Sequence, residues 1–155
     1  MAFCILGLDP SPFMPLYGLP SDELARRGVR RLVVDASPGF PDRVEVRDAA
    51  PGETVLLLNH VHQPADTPYR ASHAIFVREY AGRRYDGIDT VPDALRRRVL
   101  SLRAFDAHGD MVDADLVEGP GIEGLIGRLL GNRSVAYVHA HYAKPGCYAA
   151  RIERA

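Results

Sequence analysis

The strongest constraint on this chain is the period of its apolar residues. From Arg30 onward they recur mainly at every second position, in short runs cut by proline and glycine. Successive side chains of an extended strand point to opposite faces, so a period of two marks a half-buried strand. "RRLVVDA", "RVEVRDA", "ETVLLLNHVHQ", "HAIFVREY", "VLSLRAF", "DMVDADLVEG", "SVAYVHAHYA" and "CYAARIER" all read this way. "MAFCILGL" reads as a short buried strand or extended segment. Turn chemistry separates several of them, as in "SPGFPD", "APG" and "KPG".

Helical signals are few. "SDELARRG" predicts a short helix capped by Ser21, with Asp22 and Glu23 in its first turn. Arg26 and Arg27 follow in its last turn, and Gly28 ends it. A second short helix or turn begins at Pro92. "GIEGLIGRLLGN" places Ile122, Leu125, Ile126, Leu129 and Leu130 at helical spacing, which predicts an amphipathic helix in spite of its glycines. "DPSPFMPLYGLP" is broken by prolines and reads as loop. The expected architecture is α+β: one domain over residues 1–155, a mainly antiparallel sheet and two or three short helices.

Composition limits the partners. A formal net charge of -1 gives no electrostatic reason to expect nucleic-acid binding. No apolar run approaches the roughly 20 residues of a membrane helix, so no membrane partner is expected. The opening "MAFCILGLDPSPF" has no basic leader, and Cys4 and Cys147 are too few and too far apart for a disulfide framework. A cytoplasmic location with two free thiols is the expectation. Of the 19 basic residues all but Lys144 are arginine, and that lysine falls in the closing stretch "VHAHYAKPGCYAARIERA".

Four of the six histidines form two HxH pairs, His60 with His62 and His139 with His141. Period two puts each pair on one strand face, with Leu56 and Leu58 beside the first and Tyr137 beside the second. Imidazole is a common ligand of zinc-like ions, so the pairs can reach a metal. Carboxylates for a mixed site would be Asp113 and Asp115, or Asp66 and Glu79. Cys147 is the candidate nucleophile. A two-residue Pro145-Gly146 turn points its thiol away from His139 and His141, whereas a three-residue loop opposes it to Ala143 and puts it on the histidine face. Proline followed by glycine suits a type II turn, which favours the longer loop or a bulge. In "HQPADTPYRASHAIFVRE", two prolines stiffen a loop that presents Tyr69 and Arg70, a plausible cradle for a carboxylate or phosphate. A buried Cys packed as a hydrophobe and a surface Arg paired with Asp66 or Glu79 are the plainer alternatives.

"DAAPGETVLLLNHVHQPADTPYRASHAIFVRE", "MVDADLVEG" and "VAYVHAHYAKPGCYAARIERA" together resemble a bacterial family known as domain of unknown function 1203. The resemblance runs from about Leu19 to the end. Its most specific parts are His62-Gln63-Pro64, Pro68-Tyr69-Arg70 and Lys144-Pro145-Gly146-Cys147-Tyr148, with His139 and His141 matching the family's HxH. The resemblance implies that His62, Arg70, His139, His141 and Cys147 belong to one recurring pattern. It also implies Tyr as an alternative to His60, and Cys as the usual residue at Asp42.

Three functions are compatible with these residues. The first is a small-molecule enzyme or ligand binder in which His62, His139 and His141 move protons and Cys147 is nucleophile or acid. Gln63, Tyr69, Arg70 and Lys144 would bind its ligand, a small anionic molecule. The second is a non-catalytic interaction domain in which the same groups form a hydrogen-bond network. The third is an HxH metal-binding protein. The leading reading assigns no residue to a metal and names no cofactor.

Overall fold

The computed structural model describes residues 1–155. In chain order its first half holds β1 (Phe3–Leu6), α1 (Ser21–Arg26), β2 (Arg30–Val33), β3 (Pro41–Asp42), β4 (Arg47–Asp48), β5 (Thr54–Gln63) and β6 (Ala71–Arg78). Then follow β7 (Asp86–Ile88), α2 (Asp93–Arg96), β8 (Val99–Phe105), β9 (Met111–Glu118), α3 (Ile122–Gly131), β10 (Tyr137–Tyr142) and β11 (Tyr148–Arg154). The α+β expectation holds, with the strands divided between two sheets. The larger runs β7-β1-β11-β10-β8-β9 and the smaller β2-β5-β6-β3-β4. All pairings are antiparallel except that of β3 with β6.

Alternation assigns the two faces of the larger sheet. Leu100, Leu102 and Ala104 of β8, Val138 and Ala140 of β10, and Ala150 and Ile152 of β11 point one way and are buried. They meet Ile122, Leu125, Ile126, Leu129 and Leu130, the five apolar positions expected of α3, in the main core. The other face carries Tyr137, His139 and His141. A second core lies on the smaller sheet, where Leu56, Leu58, Ile75 and Val77 pack with Phe13, Leu24 and Val29.

The two sheets are stitched together by residues 43–46. "RVEVRDA" does not form the expected strand; β3 and β4 flank a tight turn instead. Tertiary hydrogen bonds replace the ladder. Arg43 N–H donates to the Phe76 carbonyl of β6, while the Arg43 and Val44 carbonyls accept from Leu8 and Tyr85. The buried Asp42 carboxylate accepts from the backbone N–H groups of Glu45 and Arg78, closing the turn as a cap would. Gly7 makes this approach possible, because a Cβ there would sit 2.0 Å from the Val44 carbonyl oxygen. Two smaller departures follow from local chemistry. Ser21 is the first residue of α1 rather than its cap, since Pro20 holds that position without a side-chain acceptor. β7, which no run of alternating apolar residues announces, forms because β1 offers it an open edge. No helix is long and apolar enough to cross a membrane.

Candidate functional site

His139 and His141 lie where alternation puts them, on the face of β10 opposite the main core. Pairing with β8 sets Arg103 beside His139 and Ser101 beside His141. On the other side, β11 contributes Arg151 beside His139 and Tyr148 beside His141. That second pairing needs a bulge. Ala140 pairs with Ala150 but His141 pairs with Tyr148, so Ala149 is an extra residue that turns Tyr148 onto the histidine face.

The third imidazole comes from the smaller sheet, and again a bulge delivers it. Val61 pairs with Ser72 and Gln63 with Ala71, which leaves His62 unpaired on β5. The bulge breaks the alternation that would have kept His60 and His62 together. His60 packs edge-on against Phe13, whereas His62 stacks on Tyr148 with ring centroids 5.3 Å apart and planes 9° from parallel. From there it meets His141 at 4.9 Å and His139 at 6.2 Å, both edge-on. One nitrogen from each of His62, His139 and His141 falls within 4.8 Å of the others. His60 is not in this group, so the four-histidine site does not assemble.

Hydrogen bonding leaves these rings open to a further partner. His141 Nδ1 lies 3.0 Å from the Gly146 carbonyl oxygen, which can only accept. Nδ1 therefore carries the proton, and Nε2 presents a lone pair. The buried Nδ1 atoms of His62 and His139 have no hydrogen-bond partner. Burial disfavours charge on all three rings. Desolvation, reinforced by His60, lowers the His62 pKa to about 4. Desolvation with the His141 and Arg151 neighbours lowers His139 to about 3. His141 also falls to about 3 through desolvation, against the opposing pull of the Gly146 hydrogen bond. All three are neutral near pH 7.

A hollow of about 260 Å³ opens onto the cluster, lined by His62, Gln63, Pro64, Tyr137, His139 and Arg151. His141 sits behind it, 1% exposed. Gln63 is buried and donates to the Tyr137 hydroxyl at 2.9 Å, while its carbonyl oxygen accepts from Ala65 N–H. It thereby fixes the start of the Pro64–Arg70 loop against β10. Gly109 fixes the loop from the far side. Its φ is +85°, and a Cβ there would sit 2.4 Å from the Ala65 Cβ, so both backbone and space require glycine. Thr67 completes the contact by donating to the Gly109 carbonyl.

Not every residue singled out in the sequence joins this site. Tyr69 is exposed and touches Phe105. Arg70 is exposed and donates to the Pro64 carbonyl at 2.6 Å, tying its own loop together. The cations nearest the imidazoles are Arg103 and Arg151, neither of which is marked by any motif. Their signal was present, since both fall in strands that flank β10, but it required the strand order. Cys147 lies elsewhere. Tyr142 N–H donates to the Cys147 carbonyl, and the Tyr142 carbonyl accepts from Gly146 N–H, so Tyr142 is the cross-strand neighbour of Cys147. Neighbours share a face, and the thiol is buried with Tyr142 in the main core, away from His139 and His141. The connection is longer than either hairpin considered, with Lys144 exposed at its tip. Three of the four candidate carboxylates are engaged elsewhere, Asp113 and Asp115 with Arg128 and Glu79 with Arg31, and Asp66 is exposed.

Fold and site together define an α+β protein of two stitched sheets, with a three-histidine cluster where they meet, two of its rings buried and His62 half-buried. The chain belongs to the family described as "Protein of unknown function (DUF1203)", whose model matches residues 39–154. The match begins at residue 39 rather than near Leu19. No curated protein and no solved structure matches the chain.

Proposed function

We propose that this protein binds a divalent transition-metal ion of the zinc class through His62, His139 and His141, with one coordination position open to a small anion. The observation that carries the reading is the convergence of three imidazole nitrogens within 4.8 Å of one another. A tetrahedral ion about 2.1 Å from each nitrogen sets them roughly 3.4 Å apart, a closure within reach of small side-chain rotations. Three protein ligands with a fourth position free is the arrangement of catalytic rather than structural zinc.

The electrostatics favour a metal over proton transfer by the free rings. A general base works best with a pKa near the operating pH. His139 and His141, at about 3, are too weakly basic for that at neutral pH. A metal ion, by contrast, needs the neutral ring. The Gly146 carbonyl behind His141 Nδ1 is the kind of outer partner that orients a ligating histidine. Arg103 makes no ion pair and Arg151 is offset by Glu153, so the cation that favours an anionic fourth ligand, held between metal and guanidinium, is chiefly Arg103.

The test is cobalt titration of protein stripped with a chelator. One equivalent should bind and give the visible absorption of tetrahedral cobalt(II). His62→Ala or His139→Ala should weaken binding by at least about tenfold, while His60→Ala should not. Absence of saturable one-to-one binding, or equal weakening by His60→Ala, overturns the proposal.

A further inference from the structure

On the opposite face of the β10–β11 hairpin lies a larger cavity of about 680 Å³. Leu57, Phe76 and Val99 give it apolar walls, and Arg43, Arg97, Arg98 and Lys144 give it cations, with no carboxylate among its lining residues. Arg98, and more loosely Arg97, is offset by the neighbouring Asp48. Lys144 has no ion-pair partner and Arg43 is not offset by any carboxylate.

Arg43 is 2% exposed, which is unusual for a guanidinium that makes no ion pair. Its Nε donates to the Tyr148 carbonyl, one Nη to the Pro41 carbonyl and the other to Cys147 Sγ at 2.9 Å. The sulfur is thus the one side-chain acceptor for this buried cation. A second group supplies an independent sign. Tyr142 lines the same cavity, is 2% exposed, and its hydroxyl has no hydrogen-bond partner. Arg43 and Arg98 lie over its ring at 5.1 and 4.9 Å. A buried hydroxyl is ordinarily satisfied. Here the hydroxyl belongs to a residue of the cavity wall and stands unpartnered.

We propose that this cavity is a second ligand site, which takes a small organic anion with its charged end toward Arg43, Lys144 and the Tyr142 hydroxyl, beside the Cys147 sulfur. Leu57, Phe76 and Val99 cover the apolar body of the ligand. The site shares no ligand-contacting residue with the three-histidine cluster, and its test is separate from cobalt binding.

Alkylation of Cys147 by iodoacetate and by iodoacetamide tests the proposal. In either reaction an S–C bond forms, the C–I bond breaks, iodide leaves and the thiol proton passes to solvent. The two reagents differ in the charge they carry. The ratio of the iodoacetate rate to the iodoacetamide rate at Cys147 should be about tenfold higher in the folded protein than in the urea-unfolded chain. It should fall several-fold in Lys144→Gln, whose side chain is exposed and whose loss leaves the fold intact, and millimolar benzoate should slow both reactions. Peptide mapping separates Cys147 from Cys4, whose thiol donates to Asp86. An unchanged ratio on folding, a folded Cys147 that neither reagent reaches, or indifference to both benzoate and Lys144→Gln overturns the proposal.

Discussion

Glu79→Gln isolates one buried charge and offers a quantitative check on the fold. Glu79 is 4% exposed at the end of β6, and its two oxygens accept four hydrogen bonds. Arg31 supplies two, at 2.9 and 2.7 Å, and Gly18 N–H and the Thr54 hydroxyl supply one each at 2.8 Å. The Arg31 guanidinium is the main reason the carboxyl pKa falls from 4.5 to about 2. A carboxylate whose folded pKa is depressed contributes stability that is complete above its unfolded pKa and lost as pH falls toward the folded one. The difference between 4.5 and about 2 corresponds to about 3 kcal/mol at pH 7, shrinking to about 2 kcal/mol by pH 3.5. Glutamine keeps the size but turns an N–H₂ group toward donors. Urea unfolding of wild type and Glu79→Gln should therefore differ by about 3 kcal/mol at pH 7, with the gap narrowing steadily between pH 4.5 and 3.5. A loss under about 1 kcal/mol at pH 7, or a loss that does not change with pH, refutes the charge-based account.

Glu123→Gln provides the contrast: Glu123 pairs with Arg96, but their side chains are 43% and 36% exposed, so urea unfolding at pH 7 should change by no more than about 0.5 kcal/mol. Gly109→Ala should lower the thermal midpoint, because it combines a φ of +85° with a Cβ that meets Ala65; the cost is about 1–3 kcal/mol, or roughly 2–12 °C by calorimetry. Since this contact holds the Pro64 loop, the same variant should also weaken cobalt binding.

Much of the architecture was legible locally. The five apolar positions of α3 are all buried, and the runs that became β5, β6, β8, β9, β10 and β11 all showed the expected alternation. The shared face of His139 and His141 followed from the same rule. "RVEVRDA" misled because its alternation was satisfied without a ladder: Val44 and Val46 are buried, but the backbone bonds go to Leu8, Tyr85 and Phe76. His62 and His60 misled because alternation assumes an unbroken strand, and one extra residue at His62 redirects everything after it. Arg103, Arg151 and Arg43 carried no local signal, since among 19 basic residues nothing in the sequence marks which face a histidine or a sulfur.

The sequence by itself determined the elements and the sidedness of each regular strand, because both follow from steric periodicities that operate over a few neighbouring residues. Only the tertiary structure decided which sides meet. The bulge at His62 carries its ring to His139 and His141, the bulge at Ala149 sets Tyr148 beside them, and the Tyr142–Cys147 pairing carries the thiol to the other face. Shifting a strand by one residue reverses every side chain beyond it, and the free energy that selects one register over another comes from packing between segments far apart in the chain.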